Sequence, residues 1–191
     1  MKQRYIKLGG SLVLIAALSH IVTAKAIDTR IEEGTILFHV RATDRGSINR
    51  LTITPRGLSE ENRPVTMEIE GIVTDVKSAD LNGDGSPELY IFVSGAGSGS
   101  YGDVVAFAVN RKKSMSRIHF PEVDPNDKSF QGYMGHDEFR IEKGYLVRRF
   151  PLYRTDDPNC CPGGGHREIY YRLVPGEAMW QLKAVKTVES E

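Results

Sequence analysis

Two stretches of this chain, residues 88–93 (Glu-Leu-Tyr-Ile-Phe-Val) and 104–109 (Val-Val-Ala-Phe-Ala-Val), are, after the opening Glu88, apolar at consecutive positions instead of at every second one. Strands with that pattern must be covered on both faces, as at the centre of a sandwich or barrel. Elsewhere the sequence alternates with period two, in Ile36, Phe38 and Val40, in Leu51 and Ile53, and in Val65, Met67 and Ile69, which predicts half-buried strands. Turn clusters separate them: Thr43-Asp-Arg-Gly46 and Glu60-Glu-Asn-Arg-Pro64 supply the Gly, Asn and Pro that hairpin connections need. Further strands are expected over 115–120, 145–150, 167–173 and 179–185. No strong helical period and no internal repeat interrupts this pattern. The fold expected is all-β, an antiparallel β-sandwich or flattened barrel forming a single domain over residues 27–191.

What precedes that domain has a different character. Residues 1–26 carry Lys2, Arg4, Lys7 and Lys25 with no acid, and their centre is the apolar run Leu12-Val-Leu-Ile-Ala-Ala-Leu18. This is the layout of a signal peptide, with cleavage fitting after Ala26 or after Ala24. An uncleaved spanning anchor needs roughly 20 apolar residues, whereas Gly9, Gly10, Ser11, Ser19 and His20 break this run. Export to the periplasm is therefore expected, with no membrane attachment after cleavage. The whole chain of 191 residues balances 25 Lys and Arg against 25 Asp and Glu. Removal of the leader leaves 21 basic against 25 acidic residues, a mildly acidic balance of −4 that excludes a nucleic-acid binder.

Export places Cys160 and Cys161 in an oxidising compartment, but as neighbours they cannot staple a loop shut. A vicinal bridge would stiffen only its own turn, and a bond between chains would make a covalent homodimer; the sequence leaves both open. The pair is a poor zinc site, because tetrahedral coordination wants ligands spaced two to four residues apart. His39, His119 and His136 are scattered without metal spacing and receive no chemistry.

The two most apolar strands are joined by Ser94-Gly-Ala-Gly-Ser-Gly-Ser-Tyr-Gly-Asp103. Gly97, Gly99 and Gly102 match the G-x-G-x-x-G spacing of dinucleotide sites, but that fingerprint works through a following helix N-terminus, and here a strand follows. A phosphate-cradling loop fails for want of its Gly-Lys-Ser/Thr ending. Tyr101 sets the loop apart from a plain flexible link: a large amphipathic ring among small residues is suited to a binding contact.

A second feature is Asp80-Leu-Asn-Gly-Asp-Gly-Ser-Pro-Glu88, which places oxygen ligands from Asp80, Asn82, Asp84 and Glu88 at positions 1, 3, 5 and 9, with Gly85 at position 6. That is calcium-loop spacing. Position 12 is Ile91 where an EF-hand has its bidentate Glu, and the flanks are strands, so the alternative is an Asx-rich turn held by its own side chains. No cofactor is required by the sequence; calcium is the one ion it suggests.

Taken in order, Leu51-Thr-Ile-Thr-Pro55, Asp80-Leu-Asn-Gly-Asp-Gly-Ser-Pro-Glu-Leu-Tyr90, Ser98-Gly-Ser-Tyr-Gly102, Gly132-Tyr-Met-Gly-His-Asp-Glu-Phe139 and Val147-Arg-Arg-Phe-Pro-Leu-Tyr153 resemble the periplasmic inhibitors of invertebrate-type (i-type) lysozyme. Pro162-Gly-Gly-Gly-His-Arg167 and Tyr171-Arg-Leu-Val-Pro-Gly-Glu177 are similar to that family as well. Cys160-Cys161 is a departure, standing where small, unreactive residues are expected. The resemblance implies an antiparallel β domain that plugs a lysozyme cleft with its Ser-Gly-x-Tyr loop, with Ser98 and Tyr101 as inhibitory residues and Gly99 and Ser100 between them. Such a cleft holds a general-acid carboxyl and a second carboxylate. Donors complement it: the Ser98 hydroxyl and the unshielded N–H groups of Gly97, Gly99 and Gly102. The loop over residues 153–167 is expected beside the first, with His166 and Arg167 as its contacts.

The expected partner is thus an i-type lysozyme, and the protein is expected to be no enzyme. A calcium-stabilised glycan-binding module of the cell envelope, using the same Tyr101 loop, is the alternative. A hydrolase has neither nucleophile elbow, zinc helix nor His-Cys pairing to support it.

Overall fold

The computed structural model describes residues 26–191. The signal-peptide reading falls, apart from Ala26, on residues outside this span. The described chain is all-β, with twelve strands in three antiparallel sheets of four. β1 (Ile27–Glu33), β2 (Ile36–Ala42), β3 (Ile48–Arg56) and β4 (Val65–Glu70) form the first sheet in chain order. β5 (Ile72–Ala79), β6 (Glu88–Ser94), β7 (Gly102–Asn110) and β8 (Ser114–Ile118) form the second. β9 (Glu138–Glu142), β10 (Tyr145–Pro151), β11 (His166–Pro175) and β12 (Trp180–Ser190) form the third. Within each sheet, strands consecutive in sequence pair antiparallel, so each sheet is an up-and-down meander. Among the described residues no helix is long and apolar enough to cross a membrane.

The consecutive apolar runs are explained by the second sheet lying between the other two. Leu89, Ile91 and Val93 of β6, with Val105, Phe107 and Val109 of β7, pack into one core with Phe38, Val40, Leu51 and Ile53 of the first sheet. Their sequence neighbours Tyr90, Phe92, Val104, Ala106 and Ala108 pack into a second core with Leu146, Phe150, Ile169 and Tyr171 of the third sheet. Successive side chains on a strand point to opposite faces, so a strand with a core on each side must be apolar throughout. The sandwich expectation holds, with three layers; the flattened-barrel alternative does not, because the strands divide into three separate sheets.

The chain passes from the first sheet to the second at Gly71 alone, whose N–H donates to the Ser47 carbonyl at 2.7 Å. Its φ of 122° and its closeness to the Ser94 backbone leave no room for a side chain. From β8 the chain runs through a 3-10 turn, Lys128–Phe130, to β9. Between these, His119 bridges to Gln181 of β12, tying the second sheet to the third along one edge.

Candidate functional site

The loop between β6 and β7 emerges from the middle layer, so its base is anchored in both cores. Gly95 N–H donates to the Tyr101 carbonyl at 2.8 Å and closes the neck. At the tip, Ser100 N–H donates to the Gly97 carbonyl at 3.2 Å, with Ser100 itself in the left-handed region at φ 43°. Ser98 is exposed, Gly99 and Ser100 are half-buried, and Tyr101 is 57% exposed. The edge of the Tyr101 ring meets Tyr133, with centroids 5.6 Å apart. An open groove lined by Ile48, Met67, Ala96, Tyr101 and Arg117 runs along one side of the loop.

This loop is braced by residues 132–137. The Gly99 carbonyl accepts the His136 N–H at 2.6 Å, and Gly135, at φ 90°, comes so near that carbonyl that a Cβ could not fit. Asp137 Oδ2 accepts the Gly102 N–H at 2.6 Å. The Gly102 amide, expected from sequence to face a partner, is thus committed to the protein's own carboxylate.

Beneath the brace lies a charge pair out of reach of water. Arg148 Nε donates to Asp137 Oδ1 at 2.6 Å, with the two side chains 1% and 0% exposed. Tyr133 closes the triangle, its hydroxyl donating to Asp137 Oδ2 at 2.6 Å and accepting from Arg148 Nη2 at 2.6 Å. The guanidinium lies 5.0–5.9 Å from the ring centres of Phe120, Phe130, Tyr133 and Phe139. Burial works to lower the Arg148 pKa, but the hydrogen bond and charge of Asp137 outweigh it and hold it above its ordinary value. Burial likewise pushes the Tyr133 phenol up, so it remains a donor.

The second loop adjoins the same brace. Tyr153 N–H donates to the Gly132 carbonyl at 2.9 Å, and its ring stacks near His136 at 6.4 Å. Met134, 40% exposed, stands on the brace between the two loops, so the first loop, residues 132–137 and the second loop follow one another across the surface. Cys160 and Cys161 are joined by a vicinal disulfide at an exposed turn. The loop's order comes from Asp157, whose Oδ2 accepts the N–H groups of Arg154 and Gly163, both at 2.7 Å.

His166 begins β11, half-buried and paired with Pro151 and Ser190. Arg167 is buried: its guanidinium donates to Glu189 Oε1 at 2.6 Å and to the Ser129 and Gln131 carbonyls at 3.2 and 2.7 Å. It fastens the 3-10 turn to the third sheet, and its guanidinium is committed to these partners within the chain. His39 pairs with Asp28 at 2.7 Å and His119 holds its strand bridge. His136 is different, since its backbone holds Gly99 and its Nε2 is buried without a hydrogen-bond partner.

At the other end of β6, the acidic turn gathers Asp80, Asp84 and Glu88, whose carboxylate oxygens lie within 4.8 Å of one another. Asp80 accepts the N–H groups of Gly83 and Gly85 at 2.7 and 2.9 Å. Asn82 is turned to Asp84, accepting its N–H at 2.9 Å and donating to its Oδ2 at 3.1 Å. Glu88 is 0% exposed; its Oε2 accepts the Leu81 N–H at 2.7 Å, and its Oε1 has no partner. Burial, with added repulsion from Asp80 and Asp84, pushes the Glu88 carboxyl up to about 7.

A small all-β scaffold that holds an aromatic-tipped loop rigid yet exposed has the construction of a binding protein. Residues 64–131 match the family model described as "Periplasmic lysozyme inhibitor of I-type lysozyme". The matched span covers the acidic turn and the Tyr101 loop and ends just before the brace, and it agrees with the resemblance for the motifs that lie within it. That family is one of inhibitors and not of enzymes. No curated protein and no solved structure matches the chain.

Proposed function

We propose that this protein is a periplasmic inhibitor of I-type lysozyme that occupies the enzyme's cleft with Ser98, Gly99, Ser100 and Tyr101. The family match supports the class of activity. The observation that carries the loop assignment is the 57% exposure of Tyr101 on a backbone clamped by His136 and Asp137. A loop already held in one shape loses little freedom on binding, so more of the contact energy remains as affinity. Tyr101 fills a sugar subsite as a ring with few rotatable bonds, and the Ser98 hydroxyl donates to a cleft carboxylate. Met134 and the second loop border the occupied cleft, with His166 and Arg167 holding that loop's end in place. The acidic balance of the exported chain speeds approach to a cationic lysozyme.

The test is inhibition of the lytic activity of an I-type lysozyme by the purified protein, expected at near-stoichiometric amounts. Tyr101→Ala is expected to weaken inhibition by a factor of about 30 or more, corresponding to about 2 kcal/mol for a lost aromatic anchor. Ser98→Ala is expected to cost about 1–3 kcal/mol, because it leaves a buried carboxylate unpaired. Both variants keep the native unfolding temperature. Equal inhibition by the wild type and the double variant would remove the loop from the mechanism. Binding to peptidoglycan without inhibition would favour a glycan-binding module.

A further inference from the structure

We propose that the turn between β5 and β6 is a calcium site, with carboxylate oxygens of Asp80, Asp84 and Glu88 as its ligands. Two separate observations meet there. The first is geometric: one oxygen from each carboxylate falls within 4.8 Å of the others, the span that oxygens reach around a cation bound at about 2.3–2.6 Å. The second is the state of Glu88. Its side chain is sealed from water, yet Oε1 has no hydrogen-bond partner, while Oε2 is fixed by the Leu81 N–H at 2.7 Å. A buried, unpaired carboxylate oxygen costs free energy unless something positive reaches it. The side chains gathered around Glu88 are two further carboxylates, so the missing partner is a cation.

The chemistry selects the ion. All three ligands are hard oxygens, which disfavours zinc and copper. They come from one irregular turn that imposes no octahedron, and calcium tolerates such geometry whereas magnesium resists it and retains its waters. Asp80 keeps acceptor capacity although it already takes the amides of Gly83 and Gly85, since each carboxylate oxygen has two lone pairs. Asn82 orients Asp84 instead of joining the three.

The place of the site states its role. Asp80 follows the last residue of β5 and Glu88 is the first of β6, with Glu88 paired to Ala79 and to Ala108 of β7. An ion held between them fastens the hairpin of the middle layer. The Tyr101 loop leaves the opposite end of β6, about 20 Å away at the rise of an extended strand. The ion therefore stabilises the scaffold and touches no lysozyme.

The test uses chelator-treated protein alone, so it is independent of the inhibitor assignment. Titration calorimetry with CaCl2 is expected to show one ion per chain, and the unfolding temperature is expected to rise on adding CaCl2 and much less with MgCl2. Asp84→Asn, an exposed change that relieves repulsion, is expected to unfold in chelator no lower than the wild type and to bind calcium at least about tenfold more weakly. Glu88→Gln is expected to abolish binding; should it fail to fold, Asp84→Asn decides. No heat and no shift of the unfolding temperature at about 10 mM CaCl2, above the range of weak extracellular sites, overturns the proposal. Equal affinity in the wild type and Asp84→Asn also overturns it, because the ion would then lie elsewhere.

Discussion

Arg148 carries a positive charge into a region sealed from water, and the Tyr101 loop depends on what neutralises it. Asp137 supplies the opposite charge through Oδ1 while its Oδ2 accepts both the Tyr133 hydroxyl and the Gly102 N–H, so one carboxylate both satisfies the core and holds the loop's exit. Removing one member of a buried pair strands the other, at a cost of about 3–5 kcal/mol. Asp137→Leu is accordingly expected to lower unfolding stability by that amount in urea titrations. Combining it with Arg148→Met removes both charges and is expected to recover most of the loss, yet inhibition stays weak because Gly102 remains unclamped. A double variant as unstable as Asp137→Leu would show that the pair is not what burdens the core. Arg148 was legible in principle. Leu146 and Phe150 share its face of β10 and both enter the core, so alternation places a cation at an inward position. Arg167 shares its face with Ile169, Tyr171 and Leu173 in the same way, which is why a residue expected at the contact surface lies buried against Glu189. The partner of each cation was not legible, because Asp137 and the 3-10 turn belong to irregular segments with no periodicity to read.

Among whole elements, nine strands were anticipated and three were not, and each omission has a local cause. β5 carries its buried residues at Val73 and Val76, three apart, because the register against β6 shifts between Val73 and Asp75. A bulge of this kind inserts one residue and destroys the period of two. β1 and β9 are edge strands of their sheets, where one side of the ladder is open and charged residues outnumber apolar ones. In the second loop the conspicuous pair, Cys160 and Cys161, encloses no chain, whereas Asp157 ties Arg154 to Gly163. Replacing both cysteines by serine is therefore expected to change unfolding stability by no more than about 0.5 kcal/mol. Asp157→Ala is expected to leave the amides of Arg154 and Gly163 unprotected. These backbone bonds, with that to Arg154 the larger influence, hold the Asp157 carboxyl below its ordinary 3.8. Protection of both amides is thus complete above pH 3.8 and lost as pH falls through the lowered value. Exchange measured by NMR across that window checks it; protection independent of pH would mean that Asp157 does not order the loop.

For the molecule as a whole, the three layers give the middle sheet two jobs. It is the shared wall of both cores, and it carries the Tyr101 loop at one end and the acidic turn at the other. Opening β6 breaks ladders on both of its edges and exposes apolar surface on both of its faces, so no partial unfolding releases it. Hydrogen exchange at residues 89–93 is expected only through global unfolding, while β1 exchanges by local fraying. Substitution separates this architecture from an ordinary two-layer sandwich. There, of two neighbouring residues on a strand, one faces the core and one faces solvent, and the outward one tolerates truncation within about 0.5 kcal/mol. Here Ile91 packs toward the first sheet and Phe92 toward the third, and both are buried. Ile91→Ala is expected to cost about 2–5 kcal/mol and Phe92→Ala about 3–5, each leaving a cavity in a different core. Because those cavities lie on opposite faces, the double variant's loss in urea unfolding is expected to equal the sum of the single losses to within about 0.5 kcal/mol. A near-neutral result at either position would mean that one outer sheet does not cover the middle layer, and the loop that grows from β6 would then lack the two-sided anchorage that keeps Tyr101 presented.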